Sequence, residues 1–417
     1  MSDTAFDADT TVQDDLRGGS PPWQAGHARP PRKALEQNMR CDILIVGAGI
    51  TGSLMAQHLT SLGHKVCIID RERPGFGSTA ASTAMLQWEI DCPLAELTGF
   101  YGFERAANIY HRSLQAVTGL KSLVGSLGLS CAFRDRSSLY MAGEGTTSRE
   151  LREEHALRQR AGLPGACLDH PTLLRVFRFD REAAILSPGS ADADPLRMSH
   201  ELMASAVSHG ALMFDADAVS YNAGGHGVTV GLDNGCEIEA GRVVLATGYV
   251  MPDFVRTDLH KTASSWAIAT PRQDPAALWR DGVLIWEASE DYLYARTTAD
   301  NRIVIGGEDD DSITDPQARD ALMPAKAATI LKKLAVLCPR AIARADHVWS
   351  GAFGETEDGL PLIGEVPGHP RIFAAYGYGG NGITFSFLAS RLIGRMISGQ
   401  REPWYDDLAL DRPRPVA

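Results

Sequence analysis

The sequence predicts an α/β protein with a parallel sheet interleaved with an antiparallel one. Three observations carry this reading. From Cys41 to Asp70 the chain runs apolar strand, glycine turn, helix, strand. A second, differently built glycine turn at Tyr376–Thr384 opens another helix. Between the two lie short segments with strand composition separated by turn residues, the pattern of an antiparallel sheet.

The first of these elements is the most informative. Ile43, Leu44, Ile45 and Val46 form a continuous apolar run, which suits a central parallel strand buried on both faces. Gly47, Gly49 and Gly52 follow at GxGxxG spacing, with Ile50 and Thr51 entering the helix. The first glycine permits a tight turn, the second lets a pyrophosphate approach the backbone, and the third lets helix and strand pack closely. Ile50, Leu54, Met55, Leu59 and Leu62 keep one helical face apolar, and Gly63 stops the helix. Val66–Ile69 make the second strand, and Asp70 ends it where a ribose-binding acid belongs. Strand, helix and terminal acid agree, so this is a Rossmann-like dinucleotide turn rather than a chance spacing of glycines.

Bulk properties bound the rest. At 417 residues the chain is too long for one typical core, so two domains are expected. A net charge of −12 argues against a nucleic-acid partner, because phosphate contacts need clustered Lys and Arg. The seven cysteines are scattered and never in CxxC spacing, which is neither a disulfide framework nor a zinc site, and no metal centre is expected. The acidic, polar start has no apolar core of a signal peptide, and no apolar run is long enough to span a membrane, so a cytoplasmic protein is expected.

Taken in order, residues 1–39 are rich in Pro, Gly, Asp and Arg and read as a mobile arm in which Trp23 alone should dock. After Asp70, the segment Arg71–Thr83 sets Ser78, Thr79, Ser82 and Thr83 behind glycines, giving close backbone approach and hydroxyl donors. Phe100–Leu127 carries a helical period, Ser138–Met141 reads as a strand, and Arg149–Arg160 as a solvated helix. Asp194-Pro195 opens a helix that Gly210 closes. Strands follow at Ala211–Tyr221, Val228–Leu232 and Glu237–Glu239, and Arg242–Gly248 is another buried strand ending on a glycine, with Thr247 beside Gly248. Trp266–Thr270, Leu284–Glu287, Tyr292–Thr297 and Arg302–Gly307 make the antiparallel set, Asp300-Asn301 turning the last hairpin. Pro324–Leu337 is a helix, Ile372–Ala375 a strand, and the final helix runs from the second glycine turn to about Ile397. Free N–H groups and the positive dipole end at that turn can hold something electron-rich.

A nicotinamide enzyme needs one such turn; two suit a long dinucleotide whose reactive ring lies far from its adenine. FAD therefore fits better than NAD, and Asp70 prefers a free ribose hydroxyl to a 2′-phosphate.

Here the chain resembles the amine and D-amino-acid oxidoreductase family of flavoproteins, which includes glycine oxidase, monomeric sarcosine oxidase and γ-glutamylputrescine oxidase. The resemblance rests on Val46–Gly52, Gly77–Ser82, Ala246–Gly248, Thr356–Gly364 and Gly377–Gly382, in that order over about residues 40–400. It implies an FAD-binding domain made of residues 40–110, 183–258 and 349–400, a substrate or cap domain made of 111–182 and 259–348, and a tail at 401–417. It further implies that Gly47, Gly49, Ile50, Thr51 and Gly52 meet the pyrophosphate, Asp70 and Arg71 the adenosine ribose, Ser78, Thr79, Ser82 and Thr83 the diphosphate and ribityl chain, and the Val219 backbone the adenine. Thr247 and Gly248 would line the cofactor, and Gly379, Gly380, Asn381, Gly382, Ile383 and Thr384 would sit over the pyrimidine end of the flavin. Substrate would lie against Trp266, Tyr292, Tyr294, Arg296, Phe353, Tyr376 and Tyr378, whose rings could cage a cationic amine.

Three departures are visible. Phe353 stands where glycine oxidase carries the arginine that grips a substrate carboxylate, which leaves Arg296 as the alternative grip for a glycine-type or D-amino-acid substrate. Gly351 stands where monomeric sarcosine oxidase carries its flavin-bonded cysteine, so non-covalent FAD is expected. Val304 stands where that enzyme has a lysine assisting oxygen. The expected activity is oxidation of the C–N bond of an amine or amino acid, with hydride passing to flavin N5 and the imine then hydrolysed. The more distant alternatives are a flavin-dependent tRNA-modification domain, which the acidic balance disfavours, and a flavin-binding partner subunit without turnover.

Overall fold

The structure, a computed structural model, describes residues 16–24, 33–255, 257–289 and 292–415. Its first layer is the predicted parallel sheet. Met39–Val46 lies at its centre between Glu237–Leu245 and Val66–Asp70, both parallel to it. Leu212–Asp215 extends one side and Ile372–Tyr376 the other, and the antiparallel Leu362–Glu365 closes that edge. Alternate side chains of a strand face opposite ways, and Ile43–Val46 feeds both faces. Ile43 and Ile45 join a core with Met55, Leu59, Ile393 and Tyr110. Leu44 and Val46 join a second core with Met251, Val255 and Tyr376. Helix Ile50–Ser61 packs on one face beside Pro195–Ser208 and Gly382–Ile397. A meander of Ala218–Ala223 and Val228–Leu232 hangs from Glu237–Leu245.

The second layer is a ten-stranded, mostly antiparallel sheet. His347–Thr356, His260–Ala269, Ile303–Asp310, Leu293–Thr297 and Leu284–Ala288 follow one another across it; Leu284–Ala288 then pairs parallel with Arg134–Ala142. Helix Met323–Leu337 covers one face through Ala327, Ile330 and Leu334.

Several sequence boundaries move. Residues 16–24 are no mobile arm: Arg17–Gly19 pairs with His347–Thr356 along the sheet edge, and Trp23 is buried, its Nε1 donating to Ser82 O at 2.9 Å. The remainder of the 1–39 segment before residue 16 and at 25–32 lies outside the described residues. Ala183–Asp192, read as part of the dinucleotide half, pairs with Arg134–Ala142 in the antiparallel sheet. His347–Thr356, split by the expected boundary at residue 349, belongs to that sheet as well. An apolar strand does not announce its partner, and composition alone could not separate the two sheets. Phe103–Leu127 is one helix crossing the expected boundary at residue 110, and Gly102 at φ 77 separates it from Leu94–Tyr101.

Candidate active site

One cavity of about 730 Å³ runs from the end of the parallel sheet to the face of the antiparallel one. At its first end, Gly47 takes φ 108 and its N–H closes onto Ile69 O. A Cβ on Gly52 would lie 1.9 Å from Gly47 O, so the helix can approach this turn only without a side chain there. A Cβ on Gly49 would meet Thr79 Oγ1 at 3.0 Å, the atom that accepts from Ile50 N at 2.8 Å. Thr79 therefore ties the hydroxyl loop to the helix start. Asp70 accepts from Ala48 N at 2.6 Å and Glu72 N at 2.8 Å, and burial pushes its carboxyl up to about 6. Arg71, Val219, Asp217 and Tyr221 line this end with it.

Along the middle, Ile50, Thr51, Ser78, Thr79, Ser82, Thr83, Thr247 and Gly248 all reach the cavity wall. Ser78 Oγ and Gln87 Nε2 line it too, each buried without a hydrogen-bond partner, the state of donors waiting for a polar ligand.

At the far end, Gly379, Gly380, Gly382 and Ile383 line the wall. Asn381 and Thr384 do not: Asn381 Nδ2 donates to Gln87 O and Glu89 O at 3.1 and 2.8 Å, and Thr384 Oγ1 to Gln87 O at 2.9 Å. They fix the turn from behind. Asp91, missed in the sequence, accepts from Gly380 N at 2.5 Å, and a Cβ on Gly379 would meet its Oδ2 at 2.4 Å. Burial raises Asp91 to about 6, and the charges of Asp309 and Glu355 push the same way.

Opposite stand Tyr292, Tyr294, Trp286, Tyr249, Phe353 and Asp309. Tyr292 and Tyr294 have ring centroids 6.1 Å apart, and Trp286 stacks on Tyr140 at 3.9 Å. The Tyr292 hydroxyl donates to Asp309 Oδ2, while Asp309 Oδ1 is buried without a partner. Burial pushes Asp309 up, the Tyr292 contact opposing it. Asp309 sits in the acidic run Glu308–Asp311, which reads in sequence as a solvated face, and Asp91 carries no motif at all.

Three expected pocket residues serve elsewhere. Arg296, offered as a carboxylate grip, does not line the cavity and is 2% exposed. Its Nε donates to Thr83 O, its Nη2 to Ala193 O at 2.8 Å, and its Nη1 faces Asp192 at 3.7 Å. Its guanidinium lies 4.7 Å from the Trp23 ring centroid. The donors are already engaged, so the arginine braces the hydroxyl loop. Tyr376 gives its hydroxyl to Val255 O at 2.9 Å in the core. Trp266 touches the cavity, but its indole packs with the helix behind the sheet, donating to Arg319 O at 3.0 Å. Tyr378 lines the wall with its hydroxyl turned to Ala375 O at 2.7 Å. Val304 packs with Trp23 and Trp349.

A long cavity with a glycine turn at each end, an acid at one and orphaned donors midway has the donor set of an extended dinucleotide. The family model of FAD-dependent oxidoreductases matches residues 42–396. The chain belongs to that family. Its cofactor is FAD, and it is an oxidoreductase of the amine and amino-acid oxidase type. It is 24% identical over 380 residues to gamma-glutamylputrescine oxidoreductase of Escherichia coli (strain K12), covering 89% of this chain and 87% of that one. It is 24% identical over 405 residues to glycine oxidase of Bacillus licheniformis, covering 90% and 99%. The crystal structure of glycine oxidase from Geobacillus kaustophilus superposes with a TM-score of 0.75 at 21% identity, covering 90% of this chain and 99% of that one. No helix among the described residues is long and apolar enough to cross a membrane.

Proposed function

We propose that this flavoprotein oxidises the C–N bond of a small cationic amine, and that a carboxylated amino acid is not its preferred substrate. The observation that supports this is the charge of the cavity wall. Among the described lining residues Arg71 is the one Lys or Arg, and it stands by Asp70 at the opposite end from the aromatic pocket. The pocket itself offers Asp91, Asp309 and ring faces, which suit an ammonium group and repel a carboxylate.

In this reading Gly47, Gly49, Ile50, Thr51, Ser78 and Thr79 hold the diphosphate, Asp70 the ribose, Val219 flanks the adenine, and Gly379 to Gly382 approach the flavin ring. FAD, when bound, would supply a two-electron acceptor for the hydride of the α-carbon. The protein then has three tasks. Tyr292, Tyr294 and Trp286 exclude water from the reacting carbon and orient the amine over the ring. Asp91 attracts the ammonium and takes its proton, so that the nitrogen lone pair can push out the hydride. Backbone N–H groups at the start of helix Gly382–Ile397 would favour negative charge on a group held against them. Water hydrolyses the imine product.

Anaerobic bleaching of the flavin by a panel of alkylamines, N-methyl amino acids and D-amino acids tests this. Amines should bleach it fastest. Bleaching by glycine or a D-amino acid alone overturns the reading, and repeating the best substrate in air tells oxidase from dehydrogenase.

A further inference from the structure

We infer that the substrate carries a second cationic nitrogen, distal to the one oxidised, and that Asp309 is its seat. This deepens the amine reading and rests on it. Two carboxylates, Asp91 and Asp309, face one largely apolar pocket, and the charge of Asp309 disfavours ionisation of Asp91. A single ammonium can satisfy one of them; the second is left as an unpaired buried charge.

The neighbours do not supply the missing cation. Lys326, whose charge acts on Asp309, gives its Nζ to Glu308 O at 2.9 Å and lies over the Trp266 ring at 4.6 Å, behind the sheet. Glu355, which adds to the negative field, has Lys261 beside it. Asp309 Oδ1 is the independent sign of a ligand. It is buried, it belongs to a cavity-lining side chain, and no donor meets it in hydrogen-bond geometry; Tyr292 occupies Oδ2, and the Ser265 hydroxyl is the other polar group beside the carboxylate. Tyr292 and Tyr294 present ring faces next to it, the surroundings in which a desolvated ammonium is held best. Asp91, against the glycine turn, is placed for the reacting nitrogen, and Asp309, on the opposite strand, for the distal one. The class of substrate is thus a diamine or polyamine without a carboxylate.

The test uses the FAD-loaded enzyme. The kcat/KM of α,ω-diaminoalkanes is compared with that of n-alkylamines of equal chain length, and with glycine and D-alanine. Diamines should lead the monoamines by about tenfold or more. Asp309→Asn should remove that lead by raising KM for the diamine about tenfold more than for the monoamine. Hexamethonium, a bis-quaternary cation that lacks the N–H and lone pair needed for oxidation, should perturb the flavin absorbance and compete with the diamine, and Asp309→Asn should abolish this. If Asp309→Asn does not retain flavin, Tyr292→Phe, which keeps the ring and frees Oδ2, should preserve the diamine lead. A monoamine or amino acid matching the diamine, or an Asp309→Asn effect equal on both, overturns the distal-cation assignment while the oxidation of amines stands. Failure of every amine and amino acid to bleach the flavin overturns both.

Discussion

Burial acts on Asp91 and Arg296 alike, pushing each toward its neutral form, but only Arg296 has its charge matched within the protein. Asp91 therefore has work left to do for a ligand. Its carboxyl is raised to about 6. It is ionised above that pH and neutral below it, so attraction of an ammonium is lost as pH falls through about 6. The kcat/KM of the amine should show an acid limb there, and in Asp91→Asn that limb should vanish from a pH–rate series run at a lowered overall rate. Arg296 gives the opposite expectation. Replacing it with Met leaves Asp192 buried beside fewer donors and frees the Thr83 and Ala193 carbonyls. Breaking such a buried pair costs on the order of 3 kcal/mol, so urea unfolding of Arg296→Met should show that loss while the ranking of amines over carboxylated substrates stays unchanged.

The strand–turn–helix element from Cys41 to Asp70 was legible because steric rules act locally: a continuous apolar strand, glycines where Cβ atoms would collide, an acid at the strand end. Gly52→Ala tests the tightest of these contacts. Its Cβ would sit 1.9 Å from Gly47 O, so the turn must shift, and the purified variant should carry little flavin by its absorbance ratio. The docking of Trp23 was legible, but the Arg17–Gly19 strand was not, because it is three residues long and the segment's contacts, with Phe76 O and Ser82 O, are made far away in sequence. Trp23→Ala removes a buried indole and the ring under Arg296. A loss of about 3 kcal/mol is expected from the cavity, read in thermal unfolding, with weaker flavin retention since Ser82 lines the cavity.

For the molecule as a whole, the two glycine turns and the hydroxyl loop, which line one cavity, were legible in the sequence, whereas the partition of strands was not. Ala183–Asp192 and Arg242–Leu245 are both apolar, yet one pairs in each sheet, and only tertiary pairing decides between them. The acids of the substrate end were hidden for the same reason: Asp91 and Asp309 come from distant segments and acquire meaning only side by side. With Gly351 paired between Arg17 and Ser265 and lying against Ala81 and Leu16, no cysteine stands there to bond the flavin, which should be held without a covalent bond. Acid precipitation should leave the yellow colour in the supernatant; colour retained in the pellet would contradict that.

Strand Ile372–Tyr376 has a consequence for biosynthesis. It covers the flank of Glu237–Leu245, which leaves the ribosome more than a hundred residues earlier, so the nascent chain carries an unpaired apolar edge until Ile372–Tyr376 has emerged. Premature termination before Ile372 should give an insoluble product, and the cell's chaperones meet this polypeptide at that stage of its making.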